Sequence, residues 1–114
     1  KNFENITGSG FADTLTGNGA ANVIDGAAGN DTLTGGAGGD TFVFNLAAFG
    51  DDKITDYQDG LDKLSFSLSV ADSFDDFVIT GNGTKTVMVT HGTDSIIVTS
   101  AVAFTLATDD FIFV

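Results

Sequence analysis

Six side chains recur at a spacing that carries chemistry. Asp13, Asn22, Asp31 and Asp40 stand nine residues apart, and Asp52 and Asp62 follow at intervals of 12 and 10. All six offer oxygen, and the chain has no Cys and a single His. Oxygen-only ligand sets select hard cations, calcium or magnesium, over transition metals. If these carboxylates stack at strand spacing, two of them about 5 Å apart repel by about 3 kcal/mol at an effective dielectric near 20. A column of such pairs calls for positive charge between its members. Asp51 competes with Asp52 for the fifth place. Asp52 keeps the phase in which the acid lies two residues before an apolar side chain, as in Asp52-Lys53-Ile54 and Asp62-Lys63-Leu64.

The elements that position these side chains follow from the same period. Residues 8–16 read GSGFADTLT, 17–25 GNGAANVID, 26–34 GAAGNDTLT and 35–43 GGAGGDTFV. Each unit opens on Gly, and its eighth place is apolar: Leu15, Ile24, Leu33, Phe42. A half unit precedes them, with Glu4 and Ile6 in the sixth and eighth places. Six loop residues followed by a three-residue strand fit this pattern, with the eighth residue inward and its neighbours outward. Two units then make one coil with strands on opposite faces, and loops on the same side recur every 18 residues. Asp13 should lie over Asp31, and Asn22 over Asp40. The Asn22/Asp40 pair is one charge poorer and should hold an ion more weakly. Thr14-x-Thr16 and Thr32-x-Thr34 share an outward face, which β-propensity accounts for.

The four nonads resemble the RTX nonapeptide GGxGxDxUx, a calcium-binding β-roll signature. Residues 35–43 match it in full, the unit at 26–34 lacks the second Gly, and the first two units lack the second and fourth. The resemblance, which spans about residues 6–65, implies a parallel β-roll, a right-handed β-solenoid, with calcium between stacked loops. By the family's pattern the carbonyls of Gly8, Gly10, Gly26, Ala28, Gly35 and Ala37 join the acidic side chains as ligands. About three ions are expected, within a range of two to four: at Asp13/Asp31, Asp31/Asp52 and Asp40/Asp62. Asp31 would serve two of them.

Residues 51–67, DDKITDYQDGLDKLSFS, are similar to the segment that closes the roll in serralysin-like and related type I secreted proteins. Ile54 and Leu64 extend the inward row, and Tyr57 and Phe66 can cover its end. Beyond them, runs at 77–80, 86–90 and 94–100 separated by GNGT and His91-Gly92 turns read as β-hairpins. The expectation is an all-β chain: a β-roll over 1–65 and an antiparallel, sandwich-like β cap over 66–114, in one continuous structural domain.

Composition narrows the function. Lys+Arg is 4 against Asp+Glu 16, for a net charge of -12, and Arg is absent. That excludes a nucleic-acid binder, which needs a basic face. No apolar run approaches the roughly 18 residues of a membrane span. One turn-located His gives a hydrolytic triad little basis, and Asp pairs in Gly-rich loops suit a metal better than acid–base work. The expected function is a non-catalytic calcium-binding module that folds on calcium and supports type I secretion and stability of a larger extracellular protein. Its partners would be calcium, an upstream domain that could itself be an enzyme, and the type I secretion machinery of a Gram-negative bacterium. The tail at 110–114, DFIFV, is similar to the end of such proteins. The alternative is a calcium-dependent polysaccharide-binding or cell-surface adhesion module, for which four Lys are poor equipment with acidic glycans.

Overall fold

A computed structural model describes residues 4–44, 50–58, 60–67, 76–92 and 94–113. Short strands alternate between two sheets. Strands β1 (Glu4–Thr7), β3 (Asn22–Asp25), β5 (Thr41–Phe44), β7 (Lys63–Phe66) and β11 (Phe111–Phe113) form one sheet in that order. Strands β2 (Thr14–Thr16), β4 (Thr32–Thr34), β6 (Asp51–Ile54), β10 (Asp94–Phe104), β9 (Thr84–His91) and β8 (Val78–Thr80) form the other. The first seven strands wind as the nonads require. Thr14 pairs with Thr32, Val23 with Thr41 and Glu4 with Asn22, all in parallel. The half unit at the start is therefore in phase.

The core sits between the sheets. Ile24, Leu33, Phe42, Ile54 and Leu64 are fully buried, with Ile6 and Leu15 packed against them. Each such side chain contributes about 2 kcal/mol of transfer free energy. Outward residues of the second sheet align too, and the Thr34 and Thr55 hydroxyls are 2.6 Å apart.

The second half completes the roll as well as capping it. Strands β8, β9 and β10 form the expected antiparallel meander. Strand β10 then runs parallel to β6, and β11 parallel to β7, so both sheets continue past the repeats. The sandwich-like arrangement is thus present only in part. An aromatic cluster fills the end: Phe66 lies 4.6 Å from Phe77 and 5.8 Å from Phe111, centroid to centroid. Tyr57 is buried beside Phe104 at 5.6 Å. His91 ends β9 with its ring 5.5 Å from Phe77. A short 3-10 turn, Thr108–Asp110, leads into β11. The tail is an edge strand here: Asp110 and Phe111 are buried, and Val114 lies outside the described residues.

Candidate metal centre

The sixth residue of each unit is the last of the loop and the first to turn inward. That placement buries Asn22, Asp31, Asp40, Asp52 and Asp62, each at 2 % exposure or less. Asp13, in the outermost unit, is half-buried. Asp51 is exposed and accepts a hydrogen bond from the Ser95 hydroxyl, so Asp52 holds the inward place.

The stacking has a repeated hydrogen-bond form. Asp13 N–H donates to Asp31 Oδ1 at 2.9 Å and Asp31 N–H to Asp52 Oδ1 at 2.8 Å. Across the roll, Asn22 N–H donates to Asp40 Oδ1 at 2.9 Å and Asp40 N–H to Asp62 Oδ1 at 2.8 Å. Two columns result, Asp13–Asp31–Asp52 and Asn22–Asp40–Asp62. One carboxylate oxygen of Asp31, Asp40, Asp52 and Asp62 thus ties each to the preceding coil, while the Asp13 carboxylate accepts from Ser9 in its own loop.

The other oxygen decides the chemistry. Asp31 Oδ2 and Asp40 Oδ2 are buried without a hydrogen-bond partner. A buried, unpaired carboxylate oxygen costs several kcal/mol in isolation, about the penalty for an unpaired charge. Both lie hard against a first-position glycine, Gly26 and Gly35 respectively, where an added Cβ would overlap them. Gly8 stands in the same relation to Asp13 Oδ2, at 2.6 Å from its would-be Cβ, and the Gly26 carbonyl from the next coil is 3.0 Å from that point. A carboxylate oxygen of one coil and a loop carbonyl of the next therefore face one gap.

Burial and like charge push these acids up. Asp52 is raised to about 7, first by burial and then by the charges of Asp31, Asp51 and Asp94, against the Asp31 N–H. Asp62 is raised to about 6 by burial and by Asp40 and Asp56, against the N–H groups of Asp40 and Gln58. Asp31 and Asp40 are raised as well, again mainly by burial. A divalent cation would reverse both causes by supplying charge and ligation. Among the described residues no three acidic or imidazole side chains converge on one point. Carboxylate pairs with backbone carbonyls are thus the donor set on offer, and it fits a hard cation.

The other expected carbonyl residues lie in the loops around these gaps. Gly10 has open space where a Cβ would stand, Ala28 is half-buried and Ala37 is exposed. Several residues that shape the loops were not foreseen. Asp56 accepts from the N–H groups of Gly35 and Gly36, at 2.9 and 2.8 Å. Asn18 Oδ1 accepts from Ala20 N–H at 2.8 Å, and the Ser9 hydroxyl from Phe11 N–H at 3.1 Å. In those two units a short polar side chain makes the turn that the missing glycine would make. In the third unit Ala27 adopts φ 63°, and Asp25 accepts from its N–H at 2.9 Å. The signal for Asp56 was its place, where a further unit would open on Gly.

Comparison with known proteins agrees with this geometry. Residues 7–42 match the model of the RTX calcium-binding nonapeptide repeat, in four copies. No curated protein matches the sequence. Among solved structures, the extracellular lipase LipA from Serratia marcescens is similar in fold, with a TM-score of 0.57 and 20 % identity. The likeness covers 96 % of this chain and 21 % of the lipase, so the chain spans about a fifth of that protein's length. The nonads at 7–42, with their inward acid and first-position glycine, are RTX calcium-binding repeats.

Proposed function

We propose that this chain is a non-catalytic calcium module that folds when calcium enters its loop gaps and so stabilises a larger extracellular protein. The observation that carries the reading is the pair of buried, unpartnered oxygens, Asp31 Oδ2 and Asp40 Oδ2, each backed by a glycine. The gaps Asp13/Asp31, Asp31/Asp52 and Asp40/Asp62 take the ions, about three in all, with loop carbonyls completing each shell. Bound calcium supplies charge neutralisation. The chain's own residues fix the oxygens in place and exclude water from them. An ion that binds only the folded form stabilises it by mass action.

The same chemistry supports export by a type I machinery and a parent protein that is itself a secreted enzyme, as the extracellular lipase is. Where calcium is scarce, repulsion among the acids and the flexibility of 15 glycines keep the chain unfolded. Where calcium reaches about 0.1–1 mM, the range for extracellular modules, it folds. Far-ultraviolet circular dichroism in chelator and in calcium tests this. Strand signal should appear with calcium, and an identical spectrum in chelator would sink the reading. For export, the chain is fused to a passenger in a host with a type I exporter and compared with a version lacking residues 110–114. Release should fall, and equal release would remove the tail from the mechanism.

A further inference from the structure

One of the four inter-coil gaps differs from the rest. In the units with an acid in sixth place, the atom against the first-position glycine is a carboxylate oxygen. In the unit at 17–25 it is an amide nitrogen: Asn22 Nδ2 lies 2.5 Å from the would-be Cβ of Gly17. That nitrogen is surrounded by oxygen. Ala20 O is 3.0 Å away, Asn18 Oδ1 3.3 Å, Asp40 Oδ1 3.3 Å and Gly35 O 3.4 Å. The Gly35 carbonyl comes from the next coil, and it stands to Gly17 as the Gly26 carbonyl stands to Gly8.

We infer that the Asn22 amide closes this gap in place of a calcium ion, so that this link between coils forms without metal. The inference rests on the calcium reading of the neighbouring gaps. An NH2 group carries two donors and no acceptor, so it is the neutral side-chain end that such an oxygen cage accepts. In this orientation Asn22 Oδ1 is buried without a hydrogen-bond partner, but turning the amide over would set that oxygen among four acceptors, a worse arrangement in the absence of a cation. The Asp40 carboxylate then serves two different neighbours. Its Oδ1 receives the Asn22 backbone and side-chain N–H groups, while Oδ2 stays free for the Asp40/Asp62 gap. Asn22 and Asp40 are both about 1 % exposed, so bulk solvent does not reach either. The coil at 17–40 thereby holds together before the other gaps fill.

Two measurements test this. Calorimetric calcium titration compares the natural chain with Asn22→Asp. The variant should bind one ion more and require calcium for this link, since it puts a carboxylate in the slot the amide holds. An unchanged ion count in a variant that still binds calcium would overturn the inference. If the natural chain bound no calcium at all, the functional reading would fail instead. The second measurement is independent of the ion count and of whether the variant folds. In the NMR spectrum of the folded natural chain, the Asn22 side-chain NH2 protons should exchange with solvent at least tenfold slower than those of exposed Asn5. Equal exchange of the two pairs would overturn the inference.

Discussion

The first-position glycines offer a sharp test, because the structure separates their role from that of other loop glycines. A Cβ at residue 26 would overlap Asp31 Oδ2 and crowd Asp31 Cγ at 2.9 Å. A Cβ at residue 10 or 19 would meet nothing within 4 Å. None of these three has a left-handed φ, so Gly→Ala gives each the same gain from reduced freedom of the unfolded chain, about 0.4–1 kcal/mol. What remains is the overlap. Overpacking typically costs about 1–3 kcal/mol, and here it also pushes the carboxylate off the oxygen position that faces the ion. Gly26→Ala should therefore melt about 4–12 °C lower than Gly10→Ala in saturating calcium, taking about 4 °C per kcal/mol at this size. Gly10→Ala and Gly19→Ala should melt at or slightly above the natural temperature. The assay is thermal unfolding followed by circular dichroism, with the calcium midpoint measured beside it. Equal melting temperatures for Gly26→Ala and Gly10→Ala would refute the placement of Asp31 Oδ2 against Gly26.

Two further outcomes follow from the loops and the buried acids. Ala27 holds φ 63°, a region that costs a non-glycine residue about 1–2 kcal/mol, so Ala27→Gly should raise the melting temperature by about 2–4 °C in calorimetry after the glycine's own entropy is subtracted. The pH dependence has a definite sign: Asp52 and Asp62 have folded values of about 7 and 6, above the ordinary 3.8. The folded chain then binds more protons, and calcium-free stability is greatest below pH 4 and is lost as pH rises through 6 to 7. In chelator, strand signal should grow between pH 7.5 and 5, while the calcium midpoint should move to higher concentration over the same interval. A midpoint that stays fixed would show that protons and calcium do not compete for these oxygens.

The parts of the fold that were legible are those that local period decides. A nine-residue repeat with an apolar eighth place fixes which side chains enter the core, and stacking at 18 residues sets Asp13 against Asp31 without further information. The Asp52 and Asp62 partners were legible through the acid-x-apolar phase, although their loops are longer. The second half has no period. Its hairpins could be read from turn residues, but the parallel seating of β10 on β6 and of β11 on β7 is a long-range choice. It depends on which strand edges the roll leaves open, and no local pattern encodes that. Within the loops, loss of the second glycine has two structural answers, a side-chain turn at Ser9 and Asn18 and a left-handed Ala27. Ser and Asn can accept a nearby N–H, and Ala cannot, so the backbone itself must turn. The role of the Asn22 amide was hidden for a related reason. Asn differs from Asp by one group, and only the surrounding oxygens show that it acts as a donor.

The second half also explains why the acidic columns stop where they do. Register sets Ile96 beside Asp52, and the buried Asp94 carboxylate accepts the Gly50 N–H at 3.2 Å, so an apolar residue takes the place where the next acid of the column would stand. The second column ends differently. Asp62 uses Oδ1 for the Asp40 N–H and Oδ2 for the Gln58 N–H, which leaves no oxygen facing a further coil. Tyr57 seals that end: its hydroxyl lies 2.8 Å from the Asp62 carbonyl and 2.9 Å from Asp110 Oδ1. Bare edges at β6 and β7 would otherwise present unpaired backbone to other chains, next to a core only one side chain deep. Strands β10 and β11 cover both edges, and the Phe66–Phe77–Phe111 cluster adds apolar burial that needs no ion. On the proposed reading, the chain joins a charged half whose folding calls for calcium to an aromatic half whose packing uses no ion.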